Sequence, residues 1–346
     1  MHRVRGAVVK VSVGVVIGLS ACGGDSRPRP SDSTMVANLA PPLTDVPLSR
    51  GEGRLHVDGG RIWYRVSGRD HGVPLMLLHG GPGIPSYGLK PLEALGDDRP
   101  VVRYDQLGAG KSDGLTDTTK MNVTHFVDEL EALRAHLGYD QMHLLGHSWG
   151  ALLAVAYYRA HPDHVASLTL AGAFLDVPAW CAHARALLKS LPDSLQRAVA
   201  VAEGSHMYDA PAYQAAVTAF DNRYRWLRPV QVDLDSTGPQ INQPLYTYMQ
   251  GPSEFTITGA LRDYDATPYL KEIAVPTLYT VGQFDEANPL LVRRFASMTP
   301  GAKYALIRGA AHLTMWDNPT DMIAVVRQHL AAADVSNATK AAVTPP

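Results

Sequence analysis

Short, nearly unbroken apolar runs recur along the middle of the chain, at residues 75–78, 101–104, 142–145, 168–171, 277–281 and 304–307. Runs this short with so few polar positions are what strands show when both faces of their sheet are covered. Ahead of them, residues 54–57 and 62–66 flank Asp58-Gly59-Gly60, which predicts an antiparallel hairpin closed by a tight turn. Between the runs the period changes. Phe126, Leu130, Leu133 and Leu137 recur at helical spacing over residues 122–137, and Gly138 follows as a stop. Residues 151–160 and 320–330 read as further helices. Strands alternating with helices predict an α/β fold built on a mostly parallel, doubly wound sheet.

The rhythm breaks over residues 176–265. Helical patches, prolines and aromatic residues fill this stretch, and no buried-strand run interrupts them. It reads as a helical cap inserted between two strands, leaving residues 49–175 and 266–332 as the core. The ends are different material. Residues 22–48 are rich in Pro, Ser and Asp and predict a flexible tether. Residues 333–346, rich in Ala, Thr and Pro, predict a disordered tail.

Residues 1–21 carry Arg3, Arg5 and Lys10, then an apolar run over 11–19, then Ser20 and Ala21. This is the order of a secretory signal, and the run is too short to span a bilayer. Leu19-Ser20-Ala21-Cys22 resembles a bacterial lipobox, which makes Cys22 the candidate lipidated residue. The expectation is an exported protein, lipid-anchored to the bacterial cell envelope and touching the membrane only through that anchor. Cleavage takes the basic residues from 31 to 28 against 33 acidic, and the formal charge from −2 to −5. With no cluster of Lys and Arg besides, nucleic acid is excluded as a partner. Cys181 is then the one thiol not committed to a lipid, and it reads as a small buried apolar side chain.

The chemistry centres on Gly146-His147-Ser148-Trp149-Gly150, set between the apolar run 142–145 and the helix after it. A Gly-x-Ser-x-Gly segment in that context forms a sharp strand-to-helix turn that exposes the serine hydroxyl at a helix N-terminus. A serine nucleophile needs a base, and the base needs a carboxylate to orient it. Asp285 follows the strand at 277–281 and His312 follows the strand at 304–307, in the order Ser, Asp, His. Both fall at the carboxyl end of the sheet, where such folds bind ligands. His79-Gly80-Gly81-Pro82-Gly83 follows the strand at 75–78, and its glycines let backbone N–H groups reach a substrate oxygen. Gly81 is assigned as one oxyanion donor and Trp149 as the other, with Gly80 still open. Gly108-Ala109-Gly110-Lys111-Ser112 mimics the end of a Walker A loop, but the required first glycine is Asp105. No metal-ligating pattern is present, and no cofactor is expected.

Taken together, His79-Gly-Gly-Pro-Gly83, Asp105-Gln-Leu-Gly-Ala-Gly-Lys-Ser112, Gly146-His-Ser-Trp-Gly150, Gly282-Gln-Phe-Asp-Glu-Ala-Asn-Pro289 and the His312 loop resemble the proline iminopeptidase family of α/β-hydrolases. The likeness spans residues 50–330 and leans towards the branch of tricorn-interacting aminopeptidases and L-amino acid amidases. Leu107 stands where many iminopeptidases have Arg, which argues against strict proline specificity. The resemblance implies an α/β-hydrolase fold and a serine aminopeptidase or amidase. Such an enzyme frees an N-terminal residue from short peptides or amino-acid amides through an acyl-enzyme. It further implies that Glu254, in Met249-Gln-Gly-Pro-Ser-Glu-Phe255, receives the substrate's free α-amino group, with Asp221 as a weaker second candidate. A general carboxylesterase or lactonase, and an inactive envelope-tethered binding module, are the alternatives.

Overall fold

A computed structural model of the protein describes residues 50–229, 233 and 238–343. The leader, Cys22 and the tether lie outside the described residues.

Eight strands form one sheet in the order β1-β2-β4-β3-β5-β6-β7-β8. β1 (Gly51–Val57) and β2 (Gly60–Gly68) are the hairpin expected from residues 54–66. Gly59, at φ 97°, takes the left-handed backbone that its turn requires. β2 pairs antiparallel with β4 (Pro100–Asp105). From there β3 (Leu75–Leu78), β5 (Met142–His147), β6 (Val165–Ala171), β7 (Thr277–Gly282) and β8 (Lys303–Ile307) run parallel.

The four residues of β3 show why these strands read as continuous apolar runs. Met76 and Leu78 enter one core with Phe126, Leu130, Leu133 and Trp149. Leu75 and Leu77 enter the other, with Leu89, Leu92, Leu95, Met322 and Val326. Alternate side chains point to opposite faces, and both faces are covered. α1 (Val123–His136) and α2 (Trp149–Ala160) supply one side. The other side takes the 3-10 turns of Ser86–Asp97, which the hydrophobic pattern did not announce.

Helix α1 buries one carboxylic acid in the first core. Glu129 is fully buried, accepts the Leu107 N–H at 2.9 Å through Oε2, and among the described residues has no partner for Oε1. Burial pushes its carboxyl up to about 8, against which the Leu107 N–H is a minor opposing effect. The unfolded chain sheds this proton near 4.5, so folding stability falls as pH rises from about 4.5 to about 8 and then levels off. Glu129→Gln should remove that slope and raise the urea midpoint above wild type at pH 8 but not at pH 4.5. Parallel pH dependence in the two proteins would refute the assignment.

The cap comprises α3 (Val177–Leu188), α4 (Asp193–Ser205), α5 (Pro211–Tyr224) and α6 (Gln243–Met249). Its neck closes where the rhythm of the sequence breaks. Asp176 and Asp265 form an isolated antiparallel bridge, flanked by Val177 N–H to Tyr264 O and Ala266 N–H to Leu175 O. Cys181 is half-buried rather than buried, because Val177, Trp180, Ala184 and Leu188 hold the inward stripe of α3.

Beyond the cap, α7 (Pro289–Met298) and the short α8 (Thr314–Asp317) precede α9, which corrects the expected disordered tail. α9 runs from Pro319 to Val343 instead of ending near Leu330. Its alanines favour helix, and the extension is anchored. Ala333 is buried, and Asp334 pairs with Arg99 at 2.9 Å and with His143 at 3.0 Å. Asn337 Nδ2 donates to Ala166 O at 3.0 Å. Composition hid these long-range contacts.

Candidate active site

Ser148 sits between β5 and α2 at φ 57° and ψ −120°, a backbone that L-residues avoid. The two flanking glycines make that turn feasible. A Cβ on Gly146 would lie 2.1 Å from the Gly150 carbonyl oxygen, and one on Gly150 would lie 2.1 Å from the Leu78 carbonyl oxygen. Trp149 is the first residue of α2, so its N–H has no intrahelical acceptor.

His312 follows β8, and its Nδ1–H donates to Asp285 Oδ1 at 2.7 Å. That bond leaves Nε2 as the ring's acceptor. Asp285 is fully buried and also accepts the Ala287 N–H at 2.8 Å and the Gly282 N–H at 3.1 Å. Burial acts to raise its pKa, but His312 and the two N–H donors outweigh it and hold the carboxyl below its ordinary value. Gly172 leaves room for the ring, since a Cβ there would lie 2.7 Å from His312 Nδ1. His147 donates through Nε2–H to the His312 carbonyl at 3.0 Å. Burial, then the neighbouring His312, lowers His147 to about 3, so it stays neutral.

Gly80 and Gly81 line the same cleft as Ser148 and His312. Gly80 comes closest to the nucleophile, where a Cβ would lie 2.9 Å from that of Ser148; Gly81 has the left-handed backbone at φ 50°. Gln106 fastens this loop to the serine turn. Its Nε2 donates to His79 O at 3.2 Å, its Oε1 accepts from Trp149 Nε1 at 2.9 Å, and its backbone N–H donates to His79 Nε2 at 3.0 Å. The Walker-like loop serves the scaffold: Lys111 N–H donates to Asp105 Oδ2 at 2.8 Å, and a Cβ on Gly110 would collide with that carboxylate.

From the cap, Glu254 reaches the cleft. Tyr246 OH donates to its Oε1 and Gln250 Nε2 to its Oε2, both at 2.6 Å. Trp180 donates to the Glu254 carbonyl at 3.2 Å and packs edge-on against His312, with ring centroids 5.6 Å apart. Asp221 faces a cavity of about 400 Å³ next to the cleft. Its carboxylate, however, already pairs with Arg225 at 3.1 Å, which leaves it poorly placed as a second amine ligand.

Three residues absent from the expected set complete the site. Glu286 is fully buried, lies 3.8 Å from His312 Nε2, and has no hydrogen-bond partner for either carboxylate oxygen among the described residues. Burial, then the Glu254 and Asp221 carboxylates, push its pKa well above the ordinary range. It stands in the quoted Phe-Asp-Glu-Ala segment, but nothing in its spacing says which way it faces. Arg225 lines the cleft. Asp317 accepts from Ala311 N–H at 2.9 Å, Leu227 N–H at 3.1 Å and Arg228 N–H at 3.2 Å, tying the cap to the His312 loop. Asp317→Ala should lower kcat roughly ten- to a hundredfold by loosening His312, with Asp317→Asn recovering part of it. Unchanged kcat in the alanine variant would rule out this positioning role.

The alpha/beta hydrolase fold family matches residues 73–319. A proline iminopeptidase of Heyndrickxia coagulans is 38% identical over 283 residues, covering 81% of this chain and 98% of that protein. The chain belongs to the proline iminopeptidase family. Among solved structures, VinJ superposes with a TM-score of 0.78 at 32% identity, over 82% of this chain and 99% of its own. A proline iminopeptidase of Mycobacterium smegmatis gives 0.76 at 28% identity, over 83% and 100%. In this family member, the serine turn, the His–Asp pair and the cap carboxylate converge on one cleft.

Proposed function

We propose that the protein is a serine aminopeptidase or amidase that releases an N-terminal residue, proline or another small or apolar one, from short peptides or amino-acid amides. The observation that carries this reading is Glu254, held by two donors in the cleft that Ser148 and His312 line. An esterase that takes neutral substrates has no use for a cap carboxylate lining the same cleft as its serine. An α-amino group, with an ordinary pKa of about 7.7–8.0, is largely protonated at neutral pH and fits it.

The chemistry follows from the positions. Ser148 Oγ attacks the scissile carbonyl carbon while its proton passes to His312 Nε2. The N–H groups of Gly81 and Trp149 take the oxyanion. His312 returns the proton to the leaving nitrogen, and the C–N bond breaks. Water, deprotonated by His312, then adds to the acyl carbon, the bond from that carbon to Ser148 Oγ breaks, His312 returns the proton to Oγ, and the free amino acid leaves. Asp285 keeps the imidazole in the tautomer that both steps use.

A panel of amino-acid anilides, each free and N-acetylated, tests the proposal. Free substrates should exceed blocked ones in kcat/KM by at least about a hundredfold, since acetylation takes away the ammonium that would pair with the half-buried Glu254 carboxylate. Equal turnover of the two would defeat the aminopeptidase reading and favour a general esterase.

A further inference from the structure

The cleft at Ser148 measures only about 40 Å³, room for roughly three waters. A substrate therefore has to extend into the neighbouring spaces, and there are two. The acidic one, about 400 Å³, is lined by Asp209, Asp221, Tyr246 and Glu254. The other, about 280 Å³, is lined by Tyr87, Trp226, Leu313 and Trp316 and is largely apolar. Its aromatic wall is continuous: Tyr87 stacks on Trp316 with centroids 5.9 Å apart, and Trp226 packs on Trp316 at 5.4 Å. Arg225 lines all three spaces.

If Glu254 takes the α-amine, the acyl half of the substrate points to the acidic side, and the leaving half has the aromatic side open to it. Two groups there lack a partner. Arg225 spends Nη1 on Asp221, while among the described residues its Nε and Nη2 donate to nothing. The indole Nε1–H of Trp226 is buried without an acceptor among the described residues. The Trp316 indole differs, because it already donates to Gly88 O at 2.7 Å. A guanidinium with free donors beside an aromatic wall suits a carboxylate carried on an apolar residue.

We propose that Arg225 and the Tyr87–Trp226–Trp316 cavity form a leaving-group subsite, in which Arg225 pairs with the α-carboxylate of an apolar C-terminal residue. The favoured substrates are then dipeptides. This rests on the aminopeptidase reading above. Length selectivity follows from chain geometry. In a dipeptide the carboxylate carbon lies two bonds from the departing nitrogen, about 2.5 Å away, so a guanidinium bordering the cleft can reach it. In a tripeptide it lies one residue further, by roughly 3.6 Å.

The experiment fixes the N-terminal residue at the one favoured in the anilide panel and varies the second half. It compares X-Phe, X-Phe-amide, X-Gly and X-Phe-Gly with the X anilide, in wild type, Arg225→Gln and Trp226→Phe. Wild type should favour X-Phe over its amide by at least about tenfold in kcat/KM, and over X-Gly and X-Phe-Gly as well. The acid-to-amide ratio should collapse towards one in Arg225→Gln, whatever that variant's absolute rate, and fall partway in Trp226→Phe. Anilide cleavage without acid preference in wild type, or a ratio that persists in Arg225→Gln, would overturn this proposal alone. Failure to cleave any amide bond in the panel would overturn the aminopeptidase reading and this proposal with it. The wild-type comparison needs no variant, so the result does not depend on how Arg225→Gln folds.

Discussion

Ser148→Ala should lower kcat/KM for the best anilide by roughly 10⁴- to 10⁶-fold and abolish labelling by a fluorophosphonate probe. The size of the effect follows from the geometry. Ser148 is held at φ 57°, and its neighbours are pinned by contacts that exclude any side chain at positions 146 and 150. Alanine therefore removes the nucleophile without freeing water to replace it in the same position. Asp285→Asn tests the other end of the relay. The Asp285 carboxylate accepts three hydrogen bonds, and an amide in its place would present a donor to one of those N–H groups or to His312 Nδ1. His312 would then favour the wrong tautomer, with an expected loss in kcat of about 10⁴-fold. Residual activity in Ser148→Ala within tenfold of wild type would mean that the nucleophile has been misassigned.

The second large effect is expected at Glu254. Glu254→Ala should reduce kcat/KM for free-amine substrates by about ten- to a hundredfold, the range of a hydrogen bond to a charged group. N-acetylated substrates should lose little, because they carry no ammonium for the carboxylate to hold. The free-to-blocked ratio is therefore the informative quantity. Tyr246 OH and Gln250 Nε2 both lose their acceptor in the variant, so Glu254→Gln, which keeps the shape and removes the charge, separates charge from packing. If Glu254→Gln keeps the full free-to-blocked ratio, the carboxylate does not recognise the amine.

Much of this architecture was legible from local pattern. Strands β3 to β7 are apolar because both their faces are covered, and such runs survive reading without any tertiary knowledge. The serine turn declared itself because the clashes at Gly146 and Gly150 are local. Asp285 and His312 were found by chain order, which the fold imposes. What stayed hidden depended on contacts between distant segments. α9 looked like a tail because Arg99 and His143, which hold Asp334, lie far away in sequence. Glu286 and Arg225 were missed for a related reason. A Glu beside an Asp after a strand, or an Arg at the end of a cap helix, is ordinarily solvated, and only the folded cap removes both from water. Asp221 differs, because its i,i+4 spacing to Arg225 at the end of α5 already announces the pair that claims it.

The cap segment that carries Arg225 is joined to the catalytic loops through its main chain. The Tyr224 carbonyl accepts from the N–H groups of His312 and Glu286, and the Arg225 carbonyl accepts from Leu313 N–H. A cap bonded in this way is no hinged door. Lifting it would strip a hydrogen bond from His312 and another from Leu313 beside it. Exchanging the cap for that of another hydrolase would therefore disturb turnover together with selectivity.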